Sequence, residues 1–160
     1  MHARIDATYR LSFAIIGDEQ DANDATQETF VAAWRRIMDL RDPDRFDAWL
    51  QRIAVNAARM TLRARRRRRV REIPSGDVAA LAEVAEGAAP AERSDAEILG
   101  SALGRLPIDQ RTLLVLHHLE GRGLAELAEI LEIPVGTVKS RLHTARQALE
   151  AALAAEGATR

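Results

Sequence analysis

From Ala48 to Arg71 the chain carries nine arginines and no acidic residue. Through the same stretch apolar residues recur at helical spacing, with Phe46, Trp49, Leu50, Ile53, Ala54 and Ala57 on one stripe. Opposite them run Arg52, Asn56, Arg59, Arg63 and Arg66. A segment so patterned folds as a helix with one buried side and a ribbon of guanidinium groups on the other. Exposed helix faces ordinarily mix signs, because opposite charges at i,i+4 stabilise and like charges cost a little. Several turns of unrelieved positive charge point to a polyanion partner. The run "LRARRRRRVRE" that closes the segment is weaker evidence alone, since basic tails are common.

The ribbon is not a consequence of a basic chain. The 160 residues hold 23 basic and 24 acidic groups, for a net charge of −1. Residues 1–72 carry 15 arginines against 11 acids, residues 73–100 one arginine against six acids, and residues 101–160 seven of each sign. The acidic stretch is rich in Ala, Pro and Gly and has no aromatic, and it reads as a flexible linker between two folded pieces. Sparse glycine and proline favour helices. The expected architecture is all-α, with two small helical domains at 1–72 and 94–156 joined by an acidic linker at 73–93. With no cysteine, disulfides and thiolate metal sites are excluded. The four histidines lack ligand spacing, so neither metal nor cofactor is expected. No apolar run approaches the roughly 20 residues that span a bilayer, and the N-terminus lacks the apolar core of a signal peptide. A soluble, cytoplasmic protein without membrane insertion is the expectation.

Ahead of the ribbon, Asp21–Met38 has helical period. Ala22, Thr26, Phe30, Ala33, Trp34 and Ile37 form the expected buried stripe, and Asp24, Gln27, Glu28, Val31 and Arg35 lie on another face. Pro43 punctuates "MDLRDPDRF" before the ribbon helix begins. In the second piece, Ser94 with Glu97 has capping-box spacing, and Pro107 suits the first turn of a further helix with Leu113, Leu116 and Leu119 towards the core. Leu124, Leu127, Ala128 and Leu131 mark a short amphipathic helix. "EIP" turns the chain, and Val138, Leu142, Ala145, Leu149 and Leu153 define the buried seam of the last helix. Two short helices around a tight turn read as a helix-turn-helix. The second exposes Lys139, Ser140, His143, Arg146 and Gln147, and no acid occurs from Pro134 to Ala148. A recognition helix meets base edges and phosphates there. Arg141 lies nearer the core flank, where a pair with Glu126 is the structural alternative. His117 and His118 read as packing or surface residues. No nucleophile, catalytic dyad or phosphate loop is present, so an enzyme is not expected.

Three of these stretches carry a family resemblance. "DANDATQETFVAAW" resembles the D-A-x-D-x-x-Q-E-x-F-x-x-A-W stretch of bacterial sigma factors of the extracytoplasmic-function (ECF) group, within the sigma-70 family. "FDAWLQRIAVNAARMTLRARRRR" resembles the segment that follows in that group. "LPIDQRTLLVLHHLEGRGLAELAEILEIPVGTVKSRLHTARQALEAAL" resembles its region 4. The resemblance implies a promoter-specificity subunit of RNA polymerase, with region 2 at 1–72 and region 4 at 94–156. It implies that Asp24, Gln27, Glu28 and Val31 dock on the β′ clamp coiled coil and that the C-terminal domain meets the β flap. Arg45, Arg52, Asn56, Arg59, Arg63 and Arg66 would meet the −10 element. Thr137, Lys139, Ser140, Arg141, His143 and Arg146 would meet the −35 element, with an anti-sigma factor as a further partner. The chain departs from the group's pattern where Met60 replaces a common Asp, where Val55 and Thr144 replace common basic residues, and where Gly123 replaces a common Ser. A sigma-like decoy that binds an anti-sigma factor without productive promoter binding is the alternative; the basic DNA faces favour the initiation factor.

Overall fold

In the computed structural model, residues 2–72 and 94–158 are described, and all regular structure among them is helical. The acidic linker expected at 73–93 lies outside the described residues. α1 (His2–Ile16) buries Thr8, Leu11, Ser12, Ile15 and Ile16, the i, i+3, i+4, i+7 pattern of a one-sided helix. Gly17, at φ +74°, ends it and donates its N–H to the Phe13 carbonyl at 2.7 Å, a left-handed cap that glycine adopts without steric cost. α2 (Glu19–Arg36) starts at Asp18, whose carboxylate accepts from the Asp21 N–H at 2.9 Å. Acids in its first turn and arginines in its last complement the helix dipole.

The buried seam of α2 is Ala22, Ala25, Thr26, Thr29 and Ala33. Small residues let its backbone approach α1 and α3. The threonine hydroxyls, buried in that seam, donate to the Ala22 and Ala25 carbonyls at 2.7 and 2.6 Å. This corrects the expected stripe: Trp34 is 83% exposed, and Ile37 is exposed in the short 3₁₀ turn after the helix. Trp34 sits one residue, or about 100° of helix, beyond Ala33, which carries it past the edge of the seam. A second 3₁₀ turn (Pro43–Arg45), capped by Asp42, leads into α3 (Phe46–Glu72). At 27 residues α3 is roughly 40 Å long. Its apolar stripe is buried as expected, apart from Phe46, which is half-buried.

α4 (Asp95–Arg105) opens with the expected capping box, Ser94 and Glu97 reaching to each other's backbone N–H. α5 (Ile108–Leu114) begins directly after Pro107 and runs into a π-helical turn, Val115–Leu119. Wider than an α turn, it rotates the following residues out of register, so Leu119, expected in the core, is 61% exposed. α6 (Leu124–Leu131) and α7 (Val135–Ala158) form the helix-turn-helix, with Glu132 in the left-handed region at φ 55° between them.

The two sets of helices do not keep separate cores. One cluster of buried side chains joins Leu11 and Ile15 of α1, Val55 and Ala58 of α3, Leu113 and Leu116 near the π turn, and Leu127 and Val138 of the helix-turn-helix. A smaller one gathers Ala33, Trp49, Leu50 and Ile53. The described residues thus fold with α6 seated across the middle of α3.

Candidate nucleic-acid interface

Three surfaces carry the sequence-derived candidates. On α2, Asp24, Gln27, Glu28 and Val31 are all exposed on one side. Trp34, Ile37 and Met38, the last 91% exposed, extend that face as an apolar patch. Sequence reasoning assigned Trp34 and Ile37 to the core. The signal that corrects it is the run of small residues at 22, 25, 26, 29 and 33, which forms a continuous seam without them. Exposed apolar groups beside acids and an amide suit a protein contact.

On α3 the ribbon is present but partly occupied. Asn56, Arg63 and Arg66 are exposed. Arg45 meets Glu129 at 2.6 Å, Arg52 meets Glu132 at 3.0 Å, and Arg59 meets Asp109 at 2.8 Å. All three acids belong to the C-terminal half of the chain, Asp109 to α5, Glu129 to α6 and Glu132 to the turn before α7. Gln51 donates to Glu120 at 3.0 Å and accepts from Arg122 at 2.8 Å. These three arginines therefore face the C-terminal half of the chain, with partners that sequence spacing could not foretell. Val55, between them, is 1% exposed. Further along, Arg65 pairs with Asp18 and Asp21 at 3.5 and 3.2 Å, which removes it from the free charge of the run. Arg67 and Arg68 are exposed.

On α7, Lys139, Ser140, Arg141, His143 and Arg146 are exposed, and Thr137 is half-buried. Val138, Leu142 and Ala145 anchor the opposite side. Ser140 donates to the Thr137 carbonyl at 3.1 Å, which leaves its lone pairs facing outward. Arg146 donates from Nε to His118 Nε2 at 3.4 Å. Partial burial, then His117 and Arg146 beside it, push the His118 pKa below the usual histidine range, consistent with a neutral ring accepting that bond. The Arg141–Glu126 pair, the structural alternative for Arg141, does not form. Glu126 instead accepts from the Gly123 N–H at 2.9 Å and from Arg122 at 2.7 Å. Those bonds, the backbone one foremost, hold its carboxyl below the usual carboxylate range. Gly123 has no hydroxyl to return the bond, so α6 starts with half a capping box.

No group of three or more metal-ligating side chains is assembled among the described residues, and no described helix is long and apolar enough to cross a membrane.

Comparison with known proteins places both halves. The family described as "Sigma-70 region 2" matches residues 3–68, and that described as "Sigma-70, region 4" matches residues 96–149. The RNA polymerase sigma-H factor of Pseudomonas aeruginosa is 37% identical over 150 residues, 86% of this chain and 76% of that protein. The ECF RNA polymerase sigma-E factor of Haemophilus influenzae is 37% identical over 138 residues, 81% of this chain and 73% of that one. Among solved structures, the sigma factor RpoE in complex with the anti-sigma factor NepR, from Bartonella quintana, aligns with a TM-score of 0.72 at 25% identity, covering 93% of this chain and 91% of that one. CnrH in complex with the cytosolic domain of CnrY aligns at 0.67 and 32% identity, covering 96% and 84%.

Proposed function

The chain belongs to the extracytoplasmic-function group of the sigma-70 family, and we propose that α2, α3 and α7 divide among them the work of a promoter-specificity subunit of RNA polymerase. Such a subunit directs the polymerase to the −10 and −35 elements of a promoter and starts transcription there. It works by binding rather than by catalysing a reaction of its own.

In this reading Asp24, Gln27, Glu28 and Val31 of α2, with Trp34 beside them, dock on the β′ clamp coiled coil, and the region 4 helices meet the β flap. Arg45, Arg52, Asn56, Arg59, Arg63 and Arg66 contact the −10 element. Thr137, Lys139, Ser140, Arg141, His143 and Arg146 contact the −35 element, with the start of α7 in the major groove. The region 2 unit would extend through residue 72 and the region 4 unit would span 94–156, with the acidic stretch as tether. An anti-sigma factor is a further partner, by likeness to the solved complex of RpoE with NepR.

The observation that carries the reading is the α7 face. Four polar or cationic side chains, Lys139, Ser140, His143 and Arg146, are exposed on a helix whose other side is locked into the core. Run-off transcription with core polymerase on a promoter library is the test. The expected outcome is a discrete set of start sites sharing a −35 sequence, a preference lost in K139A/S140A/H143A. A folded chain that binds core but yields no transcript leaves the decoy reading in its place.

A further inference from the structure

Three of the six residues assigned to the −10 element, Arg45, Arg52 and Arg59, face carboxylates of the chain's own C-terminal half. The acids come from separate places: Asp109 from α5, Glu129 from α6, and Glu132 from the turn before α7. Between the ion pairs Gln51 is clamped by Glu120 and Arg122. Beneath them Val55, on the ribbon side of α3, is buried in one cluster with Leu127 and Ile130 of α6. Had lysine or arginine stood at 55, that seam could not have closed without burying a charge. The α7 face, by contrast, remains open.

Two details mark this as more than casual surface pairing. Glu132 holds φ 55°, a conformation that L-residues other than Asn and Asp rarely take and that glycine takes freely. The chain spends a carboxylate at a position suited to glycine, and that carboxylate reaches Arg52. Arg59, meanwhile, leaves its Nε buried without a hydrogen-bond partner. Closure therefore carries a built-in defect that parting would relieve by hydration. The acids of these pairs are exposed or half-exposed and ion pairs open to water are weak singly, so a phosphate backbone, which repeats the same charge at close intervals, competes with them effectively.

We infer that Asp109, Glu129 and Glu132 form a latch that holds the C-terminal helices over the arginine ribbon of α3, so that in the free chain the ribbon and nucleic acid exclude one another. The latch rests on the assignment of that ribbon to promoter DNA. It makes release of the ribbon a step of its own: region 4 can present α7 before region 2 presents α3.

The test uses the full chain. D109N/E129Q/E132G removes the three acids, and glycine at 132 accepts the left-handed backbone. D6N/D95N/E150Q neutralises three exposed acids elsewhere and serves as the charge-matched control. Small-angle scattering reads domain separation, and fluorescence anisotropy reads affinity for a short labelled single-stranded DNA of mixed sequence. The latch variant is expected to expand and to bind about five- to tenfold more tightly; the control is expected to do neither, beyond a small electrostatic gain. In an R52Q/R59Q background the gain should vanish. Unchanged dimensions and affinity, an equal gain in the control, or a gain that survives R52Q/R59Q each overturns the latch.

A second measurement does not depend on the triple variant folding. The chain has no cysteine, so Q51C/E120C, at a pair that touches across the same seam and lies outside the residues assigned to DNA, offers a single thiol pair to a short bis-maleimide. The crosslinked chain is expected to lose run-off transcription that the same chain supports before crosslinking. Equal activity before and after crosslinking overturns the latch. No activity in the wild-type chain would instead overturn the promoter reading on which it rests.

Discussion

The guanidinium of Arg111 donates to the carbonyl oxygen of Ile15 at 2.7 Å, tying α5 to the last turn of α1 across 96 residues of sequence. It donates as well to the carbonyls of Gly104 at 2.6 Å and Leu106 at 3.3 Å, at the end of α4. Two helix C-termini, each a site of partial negative charge, thus converge on one cation that is only 8% exposed. Burial pushes the Arg111 pKa down, yet a guanidinium keeps its charge in a protein. Arg111→Met keeps much of the volume and removes all three donors. The expected loss is about 2–4 kcal/mol of unfolding free energy, from buried carbonyls left without partners. Urea denaturation of the full chain measures it, and a loss under about 0.5 kcal/mol, within the range of ordinary surface substitutions, would show that these carbonyls find water instead.

Gly123 offers a gain of stability. Its N–H is already held by Glu126, and a Cβ added at 123 would meet the Glu126 carboxylate at 3.6 Å, an ordinary contact. Gly123→Ser supplies the missing hydroxyl of the capping box. Stability should rise by a few tenths of a kcal/mol, the usual difference between serine and glycine at that position, read as a small increase in Tm. Glu126 sets the pH dependence. Its carboxyl titrates below the usual range when folded, so its contribution is fully present above the unfolded pKa of about 4.5 and is lost as pH falls through the lower folded value. Gln at 126 should flatten the acid limb of the melting curve in that window. An unchanged limb would mean the carboxylate, which is half exposed, is screened to insignificance.

How far the sequence carried the fold depended on which force set each residue. The ribbon helix, the Ser94 cap and the helix-turn-helix were legible because period, capping chemistry and turn residues are local. Trp34 and Leu119 were misplaced because their fate is not local. At Trp34, large apolar character suggested burial, but a seam of small residues brought α2 close to its neighbours and left the indole outside. At Leu119, a π turn shifted the register, and nothing in the 3.6-residue period of "TLLVLHHLEG" announces an extra residue in a turn. The alternative pairing of Arg141 with Glu126 is absent for a local reason: Glu126 is taken by the backbone N–H of Gly123 and by Arg122. The ion pairs of Arg45, Arg52 and Arg59 span 50 to 84 residues, beyond any spacing rule.

The exposure of Trp34 sharpens the polymerase assignment. Glu28→Arg reverses a charge on an exposed position of α2 and should weaken core binding with helicity intact. Trp34→Ala should do the same, since an aromatic side chain at the centre of an interface commonly costs at least about 2 kcal/mol when truncated. If Trp34 instead belonged to the core, its removal would lower Tm by many degrees. A titration of core polymerase against labelled chain, alongside a thermal melt, separates the two. Unchanged core affinity in both variants would remove α2 as the docking face.

The arginine run at the end of α3 divides unequally. Arg65 is held by Asp18 and Asp21, so it fastens α3 to the start of α2 and has little charge left for a phosphate. Arg66, Arg67 and Arg68 are exposed. Successive helical residues point about 100° apart, so these three cannot all face one strand, and Arg66 shares the ribbon side with Arg63. One or two phosphate contacts are therefore expected from the run. Each phosphate neutralised steepens the fall of log affinity with log salt by about 0.7 for a single strand and 0.9 for a duplex. R66Q/R67Q/R68Q should accordingly flatten the holoenzyme's salt slope by about one to two and weaken promoter binding, with the preferred promoter unchanged, because phosphate contacts carry no direct sequence information. R65Q alone should leave the slope in place and lower the melting temperature slightly. Promoter affinity at several salt concentrations decides between them: a slope that follows Arg65 would mean its pairs with Asp18 and Asp21 yield to DNA, and a slope indifferent to all four would make the run a solvated helix end.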